Sequence, residues 1–132
     1  MNALKKLYKR LQERQLVSCS NDTRWRQLTH QLEGQLFRSR VKWIFAFEPT
    51  DWGTWFLLTD GYLEHSNIGP IPWREIEWLE IDSIERQFRG KLVPDREIDR
   101  SVMLASILND CRAVFTTEGT IYRIWGYCSF PC

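Results

Sequence analysis

The sequence predicts an α+β domain, with an antiparallel sheet of about five strands and three helices in the order α-α-β-β-β-α-β-β. Three observations lead to this class: helical spacing of apolar residues in three segments, two-residue alternation from residue 40 onward, and turn signals between neighbouring strands. A chain of 132 residues is long enough to bury its own core. We therefore expect one domain over 1–132, with a basic helix and connector at 1–20, a core at 21–127 and a tail at 128–132.

The first predicted element is a basic amphipathic helix over about residues 3–16. Leu4, Leu7 and Leu11 recur at helical spacing and would lie on one face. Basic side chains fill the opposite arc, and they are Lys5, Lys6, Lys9, Arg10 and Arg14. Such a helix usually packs its apolar face on its own sheet, but its basic patch also suits a contact with nucleic acid or a membrane surface.

The second predicted helix follows Asn21 and Asp22. Either side chain can accept a hydrogen bond from the unpaired N–H groups of a first helical turn. Gly34 supplies a left-handed stop at the other end. Between these signals runs one apolar stripe, made of Trp25, Leu28 and Leu32.

The middle of the chain is predicted to form strands. Residues 41–58 fit a hairpin with a turn at 49–53, and residues 67–73 fit a loop because their two prolines cannot donate to a sheet ladder. Residues 76–81 follow neither period cleanly. Either a bulge between Trp78 and Leu79, or a helical turn at Trp73–Ile76 that runs into a strand, would resolve this conflict.

The last third is predicted to contain a helix and a hairpin. Asp95 is expected to cap the helix, whose buried side would include Ile98, Val102 and Leu108. The hairpin spans 113–117 and 120–127, turned at Glu118 and Gly119. The polar connection 83–96 is the segment that we expect to be a mobile loop.

Charge is distributed unevenly along a chain whose net charge is only +1. Residues 1–42 hold ten basic and three acidic side chains, whereas residues 43–85 hold nine acidic side chains and one basic. Five of the seven tryptophans lie in that acidic stretch. Such polarity favours a specific interaction over a catalytic pocket.

The acidic stretch supplies the predicted partner-binding site. Trp52 and Trp73 lie in predicted turn or loop segments, where a large ring is not required for packing. Indole rings beside carboxylates are typical of an interaction surface for a basic protein, although the same rings could instead cover the sheet. The predicted site consists of Trp52, Trp73, Trp78, Glu75, Glu77, Glu80 and Asp82.

Catalytic and metal-binding signatures are weak in this sequence. It has no phosphate-binding glycine-rich loop, no nucleophile elbow and no paired histidines on a helix. His65 is expected to be a solvated loop histidine, with a general base beside Glu64 or Asp60 as the alternative. The carboxylates Glu75 and Glu77 are expected to be a solvated strand face, with an acid–base pair as the alternative. We therefore predict no catalytic residues and no cofactor.

Four cysteines are present, at positions 19, 111, 128 and 132. No apolar run at the start predicts secretion or a membrane span, so a cytoplasmic location with free thiols is expected. Cys128 and Cys132 are spaced more widely than a usual structural-zinc pair. A zinc site that also uses Cys111 with His30 or Cys19 is the alternative.

Three segments of the chain resemble a family of small bacterial domains of unknown function. They are Trp25-x2-Leu28-x3-Leu32, the run from Pro72 to Ile81, and the run from Ile121 to Tyr127. The likeness covers most of 23–127. Those domains are similar to toxin-immunity proteins in size and in their aromatic, acidic α+β character, which implies a bacterial cytoplasmic setting.

The resulting functional prediction is a non-enzymatic protein-binding domain of immunity or regulatory type. Its acidic aromatic surface would mask a basic partner. The alternative is a nucleic-acid or membrane-surface adaptor that acts through the basic N-terminal helix, and a third hypothesis is an enzyme that uses clustered carboxylates or the thiols of the tail.

Overall fold

The computed structural model describes residues 2–35, 37–53, 56–65 and 68–129. In this part of the chain the helices are α1 (Ala3–Arg14), α2 (Asp22–Leu32) and α3 (Ser101–Asp110). The strands are β1 (Val17–Ser18), β2 (Arg38–Trp43), β3 (Phe56–Thr59), β4 (Tyr62–His65), β5 (Ile68–Pro72), β6 (Ile76–Asp82), β7 (Ile84–Gln87), β8 (Arg96–Asp99), β9 (Phe115–Glu118), β10 (Ile121–Trp125) and β11 (Tyr127–Cys128).

The strands form several antiparallel sheets. The largest has four strands in the order β2-β6-β10-β9, β3-β4-β5 form a second sheet, and β1-β11 and β7-β8 form two-stranded pairs. The α+β class with three helices is confirmed over the described residues. The prediction of a single sheet of about five strands is wrong. The remaining strands pair among themselves, as β3-β4-β5, β1-β11 and β7-β8.

The two N-terminal helices form as predicted. Asn21 caps α2 by accepting a hydrogen bond from the Arg24 N–H at 2.8 Å, and Gly34 has a φ of +79° just beyond its end. α1 begins at its own cap, where the Asn2 side chain accepts from the Lys5 N–H at 2.8 Å. Leu7 of α1 packs with Ile44 and Tyr127, so this helix contacts the sheet region through its apolar face.

The predicted hairpin 41–58 is wrong. After β2 the chain turns back on itself, so that the Thr50 N–H donates to the Val41 carbonyl at 2.9 Å and Gly53 pairs with Ser39. These contacts occupy the free edge of β2, and β3 instead pairs with β4. Residues 54–55 of the predicted second strand lie outside the described residues.

The predicted proline loop is largely a strand. β5 pairs with β4 alone, so it is an edge strand, where a proline that lacks an N–H costs no ladder hydrogen bond. Residue 67 lies outside the described part of the chain. A single 3-10 turn at Trp73–Glu75 then leads into β6, which confirms the second of the two alternatives for this segment.

The third helix begins five residues later than predicted. Asp99, and not Asp95, accepts a hydrogen bond from the first helical N–H at Ser101, at 2.8 Å. Residues 96–99 form β8, which pairs with β7 in place of the expected mobile loop. Val102, predicted to be buried, is 84% exposed, because the buried face of α3 consists of Leu104, Ile107 and Leu108.

The main core lies between the four-stranded sheet and the helices α2 and α3. From the sheet it takes Val41, Leu79, Ile81 and Ile124, and from the helices Trp25, Leu28, Leu32, Leu104, Ile107 and Leu108. The C-terminal hairpin of β9 and β10 is confirmed, with β10 paired to β6 inside the sheet and β9 at its edge. A side chain at Gly126 would have its Cβ 2.0 Å from the Ile76 carbonyl oxygen, so only glycine allows the chain to cross β6 here.

Candidate functional site

The face of the four-stranded sheet opposite the main core carries charged and aromatic side chains. Residues directly opposite each other in an antiparallel pair point to the same face. β6 places Glu80 between Arg40 of β2 and Arg123 of β10. The neighbouring rows add Asp82 beside Arg38, and Trp78 beside Trp125.

Glu80 is the centre of this array. Arg40 donates from Nε to Glu80 Oε1 at 2.6 Å, while Arg123 donates from Nε and Nη2 to Oε2 at 2.9 and 2.8 Å. The Glu80 side chain is 6% exposed, whereas each arginine side chain is about one-third exposed, at 31% and 32%. One buried carboxylate therefore fixes two guanidinium groups that remain partly exposed.

Indole rings alternate with these guanidinium groups across the sheet. The Arg40 guanidinium carbon lies 5.0 Å from the Trp52 ring centre and 5.6 Å from that of Trp78. The Arg123 guanidinium lies 4.3 Å from Trp78 and 5.1 Å from Trp125. These distances allow cation–π stacking, so the five side chains form one continuous layer.

We call this surface the arginine–tryptophan face. Arg38 extends it at one end, 5.4 Å from the Trp52 ring and only loosely paired with Asp82 at 3.9 Å. Its members are Arg38, Arg40, Trp52, Trp78, Glu80, Asp82, Arg123 and Trp125. Sequence reasoning missed the three arginines and Trp125, although their two-residue spacing opposite an acidic strand was a usable signal.

The predicted acidic surface is not formed, because its carboxylates are buried. Glu75, Glu77, Glu80 and Asp82 are 5–7% exposed. Trp78 is 7% exposed under the two arginines, and Trp73 is 1% exposed in the main core. Of the predicted site, Trp52, Trp78, Glu80 and Asp82 come together on the arginine–tryptophan face. Glu75 and Glu77 have other partners.

Glu77 ties α1 to the sheet. Arg14 donates to it from its two terminal guanidinium nitrogens, Nη1 and Nη2, at 2.6 and 3.1 Å, and the Lys42 ammonium lies 3.2 Å from the same carboxylate. Burial alone would raise the pKa of Glu77, but the hydrogen bonds from Arg14 and the charge of Lys42 hold that pKa below its usual value. Glu75 accepts a hydrogen bond from the Trp43 indole at 3.0 Å.

The basic patch of α1 is divided by these contacts. Arg14 turns inward to Glu77, whereas Lys5, Lys6 and Lys9 are exposed. Lys6 and Arg10 lie over the Phe45 ring, at 5.9 and 5.6 Å from its centre. The patch is therefore smaller than predicted, with an aromatic ring at its base.

His65 is buried, so the expectation of a solvated loop histidine is wrong. It lies in β4 at 0% exposure, with Nε2 2.8 Å from the Ser39 carbonyl oxygen and Nδ1 3.3 Å from the Thr50 hydroxyl. Nε2 must carry the proton to donate to a carbonyl, which leaves Nδ1 to accept from Thr50. Burial lowers the pKa of His65. His65 thereby links β4 to Ser39 of β2 and to Thr50 of the following loop. Neither Glu64 nor Asp60 is among these hydrogen-bond partners.

Cys19 and Cys128 form a disulfide, which corrects the expectation that both are free thiols. The bridge joins β1 to β11 over a sequence separation of 109 residues. Cys111 is a buried free cysteine of α3's C-terminal end, where burial raises the pKa of its thiol. Among the described residues no group of three or more His, Cys, Asp and Glu side chains is placed to hold a metal ion, and Cys132 lies outside them.

The fold and this sheet surface define a small α+β domain with a partly open, stacked face. A model of a family of unknown function, DUF6678, matches residues 7–130, so the chain belongs to that family. The resemblance to an uncharacterised family of small domains is thereby confirmed. No curated protein and no solved structure matches the chain. In the described part of the chain, no helix is long and apolar enough to cross a membrane.

Proposed function

We propose that this chain is a non-enzymatic protein-binding domain, of immunity or regulatory type, that docks a partner on the arginine–tryptophan face. The observation that carries the proposal is the stacked layer of two guanidinium groups between three indole rings, fixed from below by Glu80. Tryptophan and arginine are the residues most enriched where binding energy concentrates in protein interfaces.

Preorganisation supports this role. A free arginine loses rotamer freedom when a partner immobilises it, and that loss weakens binding. Here Glu80 and the flanking rings already hold Arg40 and Arg123 in place. Docking on this face therefore orders few additional side chains, while the partly exposed guanidinium groups remain accessible to the partner.

The charge of the face favours an acidic partner, which reverses the sequence-based prediction. Its exposed charged groups are the guanidinium groups of Arg38, Arg40 and Arg123, whereas the carboxylates of Glu80 and Asp82 are buried beneath them. Carboxylates of a partner can accept bidentate hydrogen bonds from such groups. Electrostatic steering would then draw in an acidic surface.

The cellular setting is part of the proposal. The resemblance to toxin-immunity domains favours a bacterial origin and a toxin as the partner. Disulfides persist mainly in oxidising compartments, so the Cys19–Cys128 bridge favours such a compartment over the cytoplasm expected from the sequence.

Affinity capture from the native cell, followed by binding measurements with the purified partner, tests the proposed face. The double variant Arg38→Glu with Trp52→Ser should weaken binding by at least about a hundredfold, since two interface anchors are lost. The matched control Lys5→Glu with Lys9→Glu changes two exposed charges on α1 and should bind as the wild type does. Retention of the partner by the first variant and its loss from the second would reject this face.

A second candidate function rests on α1. Leu4 and Tyr8 are large apolar side chains that are 44% and 62% exposed beside the exposed lysines. This combination suits an adaptor that contacts nucleic acid or a membrane surface. It predicts that the Lys5→Glu with Lys9→Glu control, and not the sheet-face variant, abolishes binding, and that binding falls steeply with salt.

A further inference from the structure

The strands β7 and β8 form a two-stranded ribbon that projects from the domain. They pair with each other and with no other described strand. Residues 86–97 are exposed, apart from the half-buried Gly90. Both faces of the distal half of the ribbon are therefore open to solvent.

The end of this ribbon is apolar. Phe88, Leu92 and Val93 are 76%, 99% and 46% exposed. A turn shapes this loop, because the Val93 N–H donates to the Gly90 carbonyl at 3.4 Å and Arg89 donates to the Pro94 carbonyl at 3.2 Å. The apolar tip is thus formed in the free protein, although exposed apolar side chains give it no stability.

The charge around the tip is positive. Arg86 and Glu97 neutralise each other at the ribbon's middle, with 3.2 Å between their charged atoms. The remaining charged groups next to the tip are three basic side chains and one acidic, namely Arg89, Lys91, Arg96 and Asp95. A surface that covers this tip should be apolar inside and anionic at its boundary.

We propose that the ribbon tip is a membrane contact, which inserts Phe88, Leu92 and Val93 into the interface of a bilayer rich in anionic lipids. The bilayer supplies an apolar layer directly below a layer of negative headgroups, where Arg89 and Lys91 would lie. A nucleic acid would neutralise the same cations but would leave Leu92 and Val93 without an apolar environment. The lipid surface is therefore the occupant that fits both the charge and the side chains.

Vesicle flotation with the full chain tests the membrane contact. The wild type should float with vesicles that contain phosphatidylglycerol and not with pure phosphatidylcholine vesicles. Leu92→Ser with Phe88→Ser should lower the partition coefficient by about tenfold or more, because two apolar side chains no longer leave water. Arg89→Glu with Lys91→Glu should lower it as well and should remove most of its salt dependence.

Phe47→Ser is the matched control, because Phe47 is 97% exposed in another loop. It should float as the wild type does. Failure of the wild type to float would overturn the membrane contact, as would loss of flotation only in the Lys5→Glu with Lys9→Glu variant of α1. Tight binding to DNA, or a tip-dependent dimer in sedimentation without lipid, would also overturn it. The Arg38→Glu with Trp52→Ser variant should still float, which separates this contact from the docking face.

Discussion

The two faces of the four-stranded sheet are both largely removed from water, but by different means. On one face, Leu79 and Ile81 are covered by the apolar stripes of α2 and α3. On the other face, Trp78 and Glu80 are covered by the side chains of Arg40 and Arg123. A long arginine can thus replace a helix as the cover of a strand, at the cost of leaving its charged end at the surface.

This difference shows why a run of acids in a sequence need not produce an acidic surface. On this face, Glu80 and Asp82 of β6 each lie beside an arginine on a neighbouring strand, and the arginine is the longer side chain. A protein that binds such a sheet contacts the outer atoms of each carboxylate–arginine pair. Here those atoms belong to guanidinium groups.

The core face should respond most strongly to mutation. Leu79→Ala removes a side chain that is 2% exposed and leaves a cavity against both helices. We expect a loss of about 3 kcal/mol in the free energy of unfolding. Urea denaturation measures it. Leu92→Ala, at a side chain that is 99% exposed, is the control and should change stability by less than about 0.5 kcal/mol. Equal losses in both would contradict the assigned core.

The arginine–tryptophan face should respond next. Glu80→Gln keeps the shape but removes the charge shared by Arg40 and Arg123. We expect a loss of about 2 kcal/mol, below the cost of breaking a fully buried pair because both arginines are partly solvated. Urea midpoints give the value, with Glu118→Gln on the exposed edge strand β9 as the control. An unchanged free energy of unfolding in Glu80→Gln would mean that the carboxylate does not organise the face.

The geometry of a single guanidinium should matter less. Arg123→Lys keeps the charge but loses the paired donors to Glu80 and the planar stack on Trp78. We expect a loss of about 1 kcal/mol, measured in the same way. Arg86→Lys, in an exposed pair with Glu97, should change almost nothing. A larger loss of stability in Arg86→Lys than in Arg123→Lys would contradict the role assigned to the Arg123 guanidinium.

The smallest effect concerns pH and the polar site at His65. Because burial lowers its pKa, the unfolded chain binds more protons than the folded one as pH falls below the ordinary histidine value of 6.5. Stability should therefore be full above that value and decrease towards pH 5. Urea midpoints across this range measure the slope, which His65→Asn should flatten. A His65 NMR resonance that titrates above 6.5 would contradict this sign.

Local sequence signals predicted the elements that depend on local interactions. Asn21, the stripe from Trp25 to Leu32, and the Glu118–Gly119 turn each act within a few residues, and all were confirmed. The hairpin 41–58 failed because the free edge of β2 pairs with residues of its own following loop. The charge of the candidate site failed for a similar reason, since Arg40 and Arg123 reach Glu80 from strands 40 and 43 residues away in sequence.

The Cys19–Cys128 bridge has a practical consequence for the ribbon. Every peptide bond between these cysteines lies inside one covalent ring, and the exposed bonds after Arg89 and Lys91 are among them. A single trypsin cut there would open the ring without releasing a fragment. The two parts would stay joined by the disulfide until a reductant is added. Two pieces would then separate on a gel, and nicked protein would pass unnoticed through any purification carried out without thiols.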